Sequence, residues 1–119
     1  MASIFLLTFN YFEASAQIEG KWKVEGKDAI VQIYKKNNKY YGKVVDAGNV
    51  WENQLLSTRE IHLFSALVQK SSTIWCCGNV YNPYKDFQTE GVAELVSAGR
   101  LKLYSPRYPD KGAAYFRKM

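Results

Sequence analysis

The sequence Trp75-Cys76-Cys77-Gly78-Asn79-Val80-Tyr81-Asn82-Pro83 is the most informative segment for the fold. It predicts a β-strand that runs into a sharp turn. In a regular strand, alternate residues share a face, so one face would carry Trp75, Cys77, Asn79 and Tyr81. Pro83 has no amide hydrogen to donate, so it ends the pairing and holds Asn82 extended. The downstream sequence is then expected to form hairpins next to this strand.

The two cysteines of this strand are adjacent. Neighbouring side chains in a strand point to opposite faces, so Cys76 and Cys77 are expected not to bridge each other easily. We predict that one packs in the core as a small hydrophobic residue and that the other points outward. In an oxidising compartment, the outward thiol could form an intermolecular bridge.

Outward from this strand, alternating apolar residues predict seven more strands, at residues 20–24, 29–35, 39–46, 60–69, 89–96, 101–104 and 113–118. The apolar run at 60–69 could also form a short helix, and we interpret it as a strand. Asn37-Asn38 fits a tight hairpin turn, because Asn tolerates positive φ. Residues 47–59 show no clean period and are interpreted as a connection. The pattern predicts an all-β fold, an antiparallel up-and-down barrel of about eight strands. A barrel of this size is either filled by side chains or holds one small ligand.

Length and composition indicate one globular domain, residues 17–119. The 119 residues are 47% hydrophobic and 23% charged, which is too apolar for a disordered chain and too short for two cores. The net charge is +5, but Lys and Arg occur singly or in pairs, without a recognisable nucleic-acid motif. We therefore predict no nucleic-acid partner, and leave open a weak association with an anionic envelope surface.

The first 16 residues have the pattern of a secretory signal peptide. An apolar run at residues 4–9 is followed by Ala14-Ser15-Ala16, a small-residue cleavage pattern. No Lys or Arg precedes the run, and a truncated N-terminus would explain that. The alternative is an N-terminal strand or a short buried helix. The export interpretation predicts a periplasmic or secreted protein.

Five short motifs, in order, resemble a known family: Gly20-x-Trp22, Ile33-Tyr34…Lys39-Tyr40-Tyr41-Gly42-Lys43-Val44-Val45, Trp75-x-x-Gly78-x-Val80-Tyr81-Asn82-Pro83, Glu94-Leu95…Leu101-Lys102-Leu103 and Arg117. Together they resemble DUF2147, a family of small exported bacterial proteins of unknown function. The resemblance implies a lipocalin-like barrel with no assigned reaction. The chain departs from the family at Cys77-Gly78, where Gly-Gly is usual, and at Asn82, where Asp is usual.

Gly20-x-Trp22 also looks like the opening signature of lipocalins. That resemblance implies that Trp22 closes one end of the barrel and that Arg117, from the last strand, packs on its ring. A guanidinium over an indole face contributes roughly 0.5–2 kcal/mol. Gly78 and Pro83 are likewise expected to have structural roles.

No constellation of residues indicates catalysis. His62 is the only histidine, and no ligand spacing accompanies it, so we predict no metal and no cofactor. Glu90 and Glu94 share a strand face, but their Cα atoms would be about 13 Å apart, too far for a glycosidase pair. The protein is therefore predicted not to be an enzyme. A weaker alternative is a reaction at Cys76 or Cys77.

Aromatic residues are the strongest candidates for ligand binding: Tyr34, Tyr40, Tyr41, Trp75, Tyr81 and Tyr104. They could line a barrel mouth and hold an apolar or sugar-like ligand, or they could plug the barrel or cover its outside. The first functional hypothesis is a non-catalytic binding module for a small apolar ligand inside the barrel. The alternative is a structural or interaction protein of the cell envelope, with a filled barrel and a functional outer face.

Overall fold

The computed structural model describes residues 18–83, 87–108 and 112–119. The predicted signal peptide, residues 1–16, lies outside the described residues. Within them the chain forms one short helix and eight strands: β1 Gly20–Val24, β2 Ile30–Lys36, β3 Lys39–Asp46, α1 Val50–Leu56, β4 His62–Gln69, β5 Ile74–Asn82, β6 Phe87–Ser97, β7 Arg100–Tyr104 and β8 Ala114–Lys118.

The strands form a closed antiparallel barrel in sequence order, in which β8 returns to pair with β1. The predicted up-and-down barrel is thereby confirmed. Closure leaves no unpaired edge between the first and last strands, so the sheet does not template pairing with another chain there.

Local turn chemistry fixes the register of the β2–β3 hairpin. Asn37 and Asn38 both adopt positive φ, 53° and 63°, as a two-residue hairpin turn of the favoured twist requires. This turn pairs Tyr34 with Tyr41 and Ile33 with Gly42. The hairpin was predicted from the two asparagines, and the structure confirms it.

The barrel interior is filled with side chains. Five aromatic rings are at most 1% exposed, and aliphatic residues pack between them. The core consists of Ile18, Trp22, Val31, Ile33, Tyr40, Phe64, Leu67, Trp75, Ala93, Leu101, Leu103 and Phe116. Burial of a large apolar side chain stabilises a fold by about 1.5–3 kcal/mol, so these residues supply the main driving force for closure.

Two glycines make room for this packing. A Cβ at Gly42 would overlap the ring of Phe64, and a Cβ at Gly78 would overlap the backbone of Ser65 and Ala66. Gly42 therefore admits an aromatic ring into the core, whereas Gly78 lets β5 approach β4 closely. The predicted structural role of Gly78 is explained by this approach. Pro83 directly follows the last residue of β5, as predicted.

Trp22 is fully buried in the barrel core. Its Nε1 donates to the carbonyl of Ile18 at 2.9 Å, which ties the segment before β1 to the barrel. The prediction that Arg117 packs on this ring is wrong. Among the described residues, the cation over Trp22 is Lys118, whose Nζ is 5.7 Å from the ring centroid. Lys118 is opposite Trp22 in the β1–β8 ladder, and alternation turns Arg117 to the outer face.

A β-bulge in β5 breaks the regular alternation of faces that was predicted for residues 75–83. Trp75 pairs with Ala93, but Gly78 pairs with Gly91, so two residues of β5 stand opposite one residue of β6. Beyond the bulge the faces are exchanged. Gly78 and Val80 point toward the core, whereas Asn79 lies outside. Trp75 thus does not share a face with Asn79 and Tyr81, because one inserted residue reverses every later position.

The two bulge residues, Cys76 and Cys77, are joined by a disulfide. The expectation that adjacent cysteines would not bridge is therefore wrong. It assumed regular strand geometry, whereas Cys77 has a φ of 71°. Neither residue is fully buried: Cys76 is half-buried and Cys77 is exposed.

The connection between β3 and β4 contains α1, which the lack of a clean period did not reveal. The Asn49 side chain caps the helix by accepting from the amide of Glu52 at 2.8 Å. No residue of α1 is buried, and Trp51 is 79% exposed. The helix lies outside the barrel and contributes little to its core.

Candidate functional site

The structure divides the six predicted ligand-binding residues between the two sides of the barrel wall. Tyr40 and Trp75 belong to the core, and their rings meet edge to face at a centroid distance of 6.0 Å. The other four are half-buried and lie on the outer face: Tyr34, Tyr41, Tyr81 and Tyr104. The six residues therefore do not line one cavity.

On the outer face, Tyr34, Tyr41 and His62 form a cluster, here called the tyrosine–histidine cluster. The two tyrosine rings stack at 5.4 Å with an interplanar angle of 14°. His62 meets both rings edge to face, at centroid distances of 6.0 and 6.1 Å. The hairpin register aligns the tyrosines, and the pairing of Lys43 with His62 brings in β4.

A hydrogen bond of 2.8 Å joins the hydroxyl of Tyr34 to Nε2 of His62. Burial, followed by the nearby Glu60 carboxylate, raises the pKa of Tyr34, so this hydroxyl keeps its proton at neutral pH. When Tyr34 donates to Nε2, a neutral His62 carries its proton on Nδ1. His62 can then offer that N–H to a further acceptor.

Glu60 and Lys43 flank this cluster. Lys43 Nζ donates to Glu60 Oε1 at 2.9 Å, and this bond lowers the pKa of the Glu60 carboxyl. The pair places opposite charges side by side at the edge of the cluster. It adds no net charge there.

His62 also lines an outer groove of about 310 Å³ that crosses β4, β5 and β6. The residues around the groove are Arg59, Glu60, Ile61, His62, Ser65, Asn79, Tyr81 and Gln88. Ladder pairing explains the arrangement, because Ser65 stands opposite Asn79 and Tyr81 stands opposite Gln88. The β5 bulge turns Asn79 outward, so the groove depends on it.

The chemistry of this outer groove is polar and balanced in charge. Asn79 and Gln88 carry amides, which both donate and accept, and Ser65 and Tyr81 carry hydroxyls. Arg59 and Glu60 contribute one charge of each sign. Such a lining matches a ligand with many hydroxyl groups and little net charge.

A second, open concavity of about 430 Å³ lies where β1 turns into β2, lined by residues 23–28 and Arg117. Its charges pair with one another. Arg100 donates to both carboxylate oxygens of Glu25, at 2.7 and 3.3 Å, and Arg117 lies 3.7 Å away. These groups join β1 to the last two strands, so we interpret the concavity as part of the barrel seam.

Tyr104 stands apart from the outer groove. Its hydroxyl donates to Glu94 at 3.4 Å, and the Nζ of Lys102 lies 4.8 Å from its ring. Burial and the Glu94 carboxylate raise its pKa. Glu94 pairs with Lys102 across the sheet.

The described residues contain no group of three His, Cys, Asp or Glu side chains that could hold a metal ion. Both cysteine sulfurs are committed to their disulfide. Within the described part of the chain, no helix has the length and apolar character needed to cross a bilayer.

Of the eight residues around the groove, only Tyr81 was predicted as a ligand contact, and the polar residues Ser65, Asn79, Gln88 and His62 were not. The sequence pattern raises His62 only as a metal ligand, and regular alternation places Asn79 on the face of Trp75. The groove could have been predicted from polar residues that lie next to one another on the outer faces of adjacent strands. That prediction requires knowing which residues of neighbouring strands are paired, and the bulge in β5 changes this pairing.

No protein-family model and no curated protein matches the sequence. The structure is similar to protein HP1028 from the human pathogen Helicobacter pylori, which is described as belonging to the lipocalin family, with a TM-score of 0.63. The match covers 86% of this chain and 82% of HP1028, at 16% sequence identity. At this identity the similarity concerns the fold alone, and it supports the predicted lipocalin-like barrel.

Proposed function

We propose that this protein is a non-catalytic binding module that recognises a neutral, hydroxyl-rich ligand, such as an oligosaccharide, in the outer groove across β4, β5 and β6. The observation that carries the proposal is the polar lining of this groove next to the tyrosine–histidine cluster. Amides and hydroxyls can match sugar hydroxyls as donors or acceptors, and aromatic faces pack against the C–H faces of sugar rings.

The packed interior supports an outer site over an inner one. Large rings occupy the barrel core of the described residues, and a ligand pocket for a drug-sized molecule needs roughly 300 Å³ or more of free space. The outer groove reaches that size without rearrangement of the core. The proposal shares its filled barrel with the alternative hypothesis of a structural or interaction protein of the cell envelope, and differs from it by assigning a ligand to the outer face.

A glycan array probed with the labelled full-length protein tests the proposal, followed by calorimetric titration of the best-binding oligosaccharide. We expect the double variant Asn79→Ala/Gln88→Ala to weaken binding at least about tenfold, or ~1.4 kcal/mol. The matched control is Gln54→Ala, which removes an exposed amide from α1, outside the groove. A double variant that binds as tightly as the wild type would overturn the groove assignment.

A small apolar ligand inside the barrel is the second candidate, and one observation favours it. The indole Nε1 of Trp75 is buried, and it has no hydrogen-bond partner among the described residues. Buried donors are normally paired, so an acceptor atom on an interior ligand would satisfy this group. Stoichiometric binding of a long-chain fatty acid, detected by native mass spectrometry and unaffected by the groove variant, would favour this candidate.

The proposal places the protein outside the cytoplasm, in the periplasm or secreted. It rests on the pattern of residues 1–16 and on the disulfide, because such bonds persist mainly in oxidising compartments. N-terminal sequencing of the protein from its native host tests it, and an intact Met1 would count against cleavage. The exposed lysines of the β2–β3 hairpin, Lys35, Lys36 and Lys39, support weak attraction to anionic envelope polymers.

A further inference from the structure

We propose that the Cys76–Cys77 disulfide is a reversible redox site, opened by a dithiol reductant and closed again by oxidation, which controls how firmly the β5 bulge is held. The two residues are consecutive in sequence and occupy the bulge itself. A disulfide normally stabilises a protein by closing a long loop of the unfolded chain, and this one closes almost none. We therefore expect this disulfide to restrain the backbone of the bulge and to contribute little to the stability of the whole barrel.

The bond is accessible to a reagent from solvent. Cys77 is exposed and Cys76 is half-buried. Exchange requires a thiolate to reach one sulfur of the bond, and an exposed disulfide permits that approach. Cys77 Sγ is the sulfur that solvent-borne thiols would attack.

The neighbours of the bulge are held by the barrel core and by the backbone of β4. Trp75, immediately before it, is fully buried in the core. Gly78, immediately after it, lies against the backbone of Ser65 and Ala66. Cys77 holds a φ of 71°, a conformation that side-chain-bearing residues adopt at a cost. The covalent ring restrains that conformation, so we expect the bulge to loosen when the ring opens.

The chemistry is an ordinary two-step exchange. One thiolate of the dithiol attacks Cys77 Sγ, the S–S bond breaks, and Cys76 leaves as a thiolate that takes a proton from water. The second thiol of the reductant, once deprotonated, attacks the reductant's own sulfur in the mixed disulfide, and Cys77 leaves as a thiolate that takes up a proton. Two electrons and two protons pass from the dithiol to the protein, and the reductant leaves as a cyclic disulfide.

Alkylation with iodoacetamide, followed by intact-mass measurement, tests the bond in folded protein prepared under oxidising conditions. We expect no added group before dithiothreitol and two added groups after it. The variant Cys77→Gly retains only Cys76 and should accept one group in both conditions. Two added groups in wild-type protein without reductant would overturn the assignment.

Hydrogen exchange tests the control of the bulge. On reduction we expect the amides of residues 76–80 to exchange about tenfold faster, whereas those of β1 and β2 keep their rates. Reoxidation with oxidised glutathione should restore the slow rates, and Cys77→Gly should show no response to dithiothreitol. Equal exchange at residues 76–80 in the two wild-type states would overturn the proposal, as would failure to recover on reoxidation.

Discussion

At the scale of single residues, Cys77 adopts a backbone conformation that ordinarily favours glycine. Cys77 adopts a φ of 71°, which lies in the left-handed region that glycine enters without penalty. The same backbone is reached here by a cysteine bonded to its neighbour. The bulge therefore combines a backbone conformation typical of glycine with a bonded pair of sulfurs.

A comparison of Cys77→Gly with Cys77→Ala isolates this backbone effect, because both variants lack the disulfide. We expect Cys77→Ala to be less stable than Cys77→Gly by about 1 kcal/mol, since only alanine places a Cβ in the left-handed region. Urea unfolding of the two variants measures the difference. Equal midpoints would show that the bulge relaxes to a regular strand when the disulfide is lost.

Gly78 is predicted to tolerate no side chain. The substitution Gly78→Ala places a Cβ against the backbone of Ser65 and Ala66, and we expect it to destabilise the barrel by at least about 2 kcal/mol. Gly99→Ala is the matched control, because nothing lies within 4 Å of a Cβ built there. Thermal unfolding compares the two variants, and similar losses of stability would contradict the close approach of β5 to β4.

At the scale of elements, polar contacts rather than apolar burial hold α1 in place. Asp46 accepts from the amide of Gly48 at 2.8 Å and from Asn53 Nδ2 at 3.1 Å, and these bonds lower the pKa of its carboxyl. Asn53 Oδ1 accepts from the amide of Ala47 at 2.8 Å. A seven-residue helix is too short to be stable alone, so these bonds and the Asn49 cap determine it.

Loss of this cap should affect the helix and leave the barrel intact. Asn49→Ala removes the acceptor for the amide of Glu52 and is expected to destabilise α1 by ~1 kcal/mol. Hydrogen exchange should report faster exchange for residues 50–56, with the unfolding midpoint of the barrel unchanged. Slowed or unchanged exchange in α1 would show that other contacts hold it.

At the scale of the whole molecule, the barrel closes through a seam between β1 and β8. Glu25, which follows β1, forms a forked ion pair with Arg100 of β7 and lies near Arg117 of β8. Arg100 also lies 4.1 Å from the ring centroid of Tyr115. Charged side chains outside the barrel thus join its first strand to its last two, while Trp22 and Phe116 fill the same seam inside.

This seam predicts a pH dependence of stability. The hydrogen bond from Arg100 holds the pKa of Glu25 below its ordinary value of 4.5. The contribution of Glu25 is therefore fully present above that value and is lost as the pH falls through the lowered pKa. We expect the difference in Tm between wild type and Glu25→Gln to shrink as the pH is lowered from about 7 to about 3.

Calorimetric scans of both proteins across that range measure this difference. Arg107→Gln is a suitable control, because it removes an exposed arginine that makes no side-chain contact among those found in the described residues. A Tm difference that stays constant with pH would show that Glu25 titrates alike in the folded and unfolded chains.

Much of the fold could be predicted because its determinants are local. The asparagines at positions 37 and 38 specify a hairpin turn, and Pro83 marks the end of a strand, whatever the rest of the chain does. The site could be predicted only in part. The alternation that identified β5 also assigned Asn79 to the wrong face, because the bulge beside it is defined by pairing with β6.

The strand count, the hairpin turn and the antiparallel order could be predicted from the amino-acid sequence, because alternation and turn chemistry act over a few neighbouring residues. The tertiary structure alone decided the outer face of β5, the bond between Cys76 and Cys77, the cation over Trp22 and the outer groove. Each of these four features depends on which residues of two neighbouring strands are paired with each other. One inserted residue in β5 reverses every later side chain, and only the pairing of complete strands fixes where that residue lies.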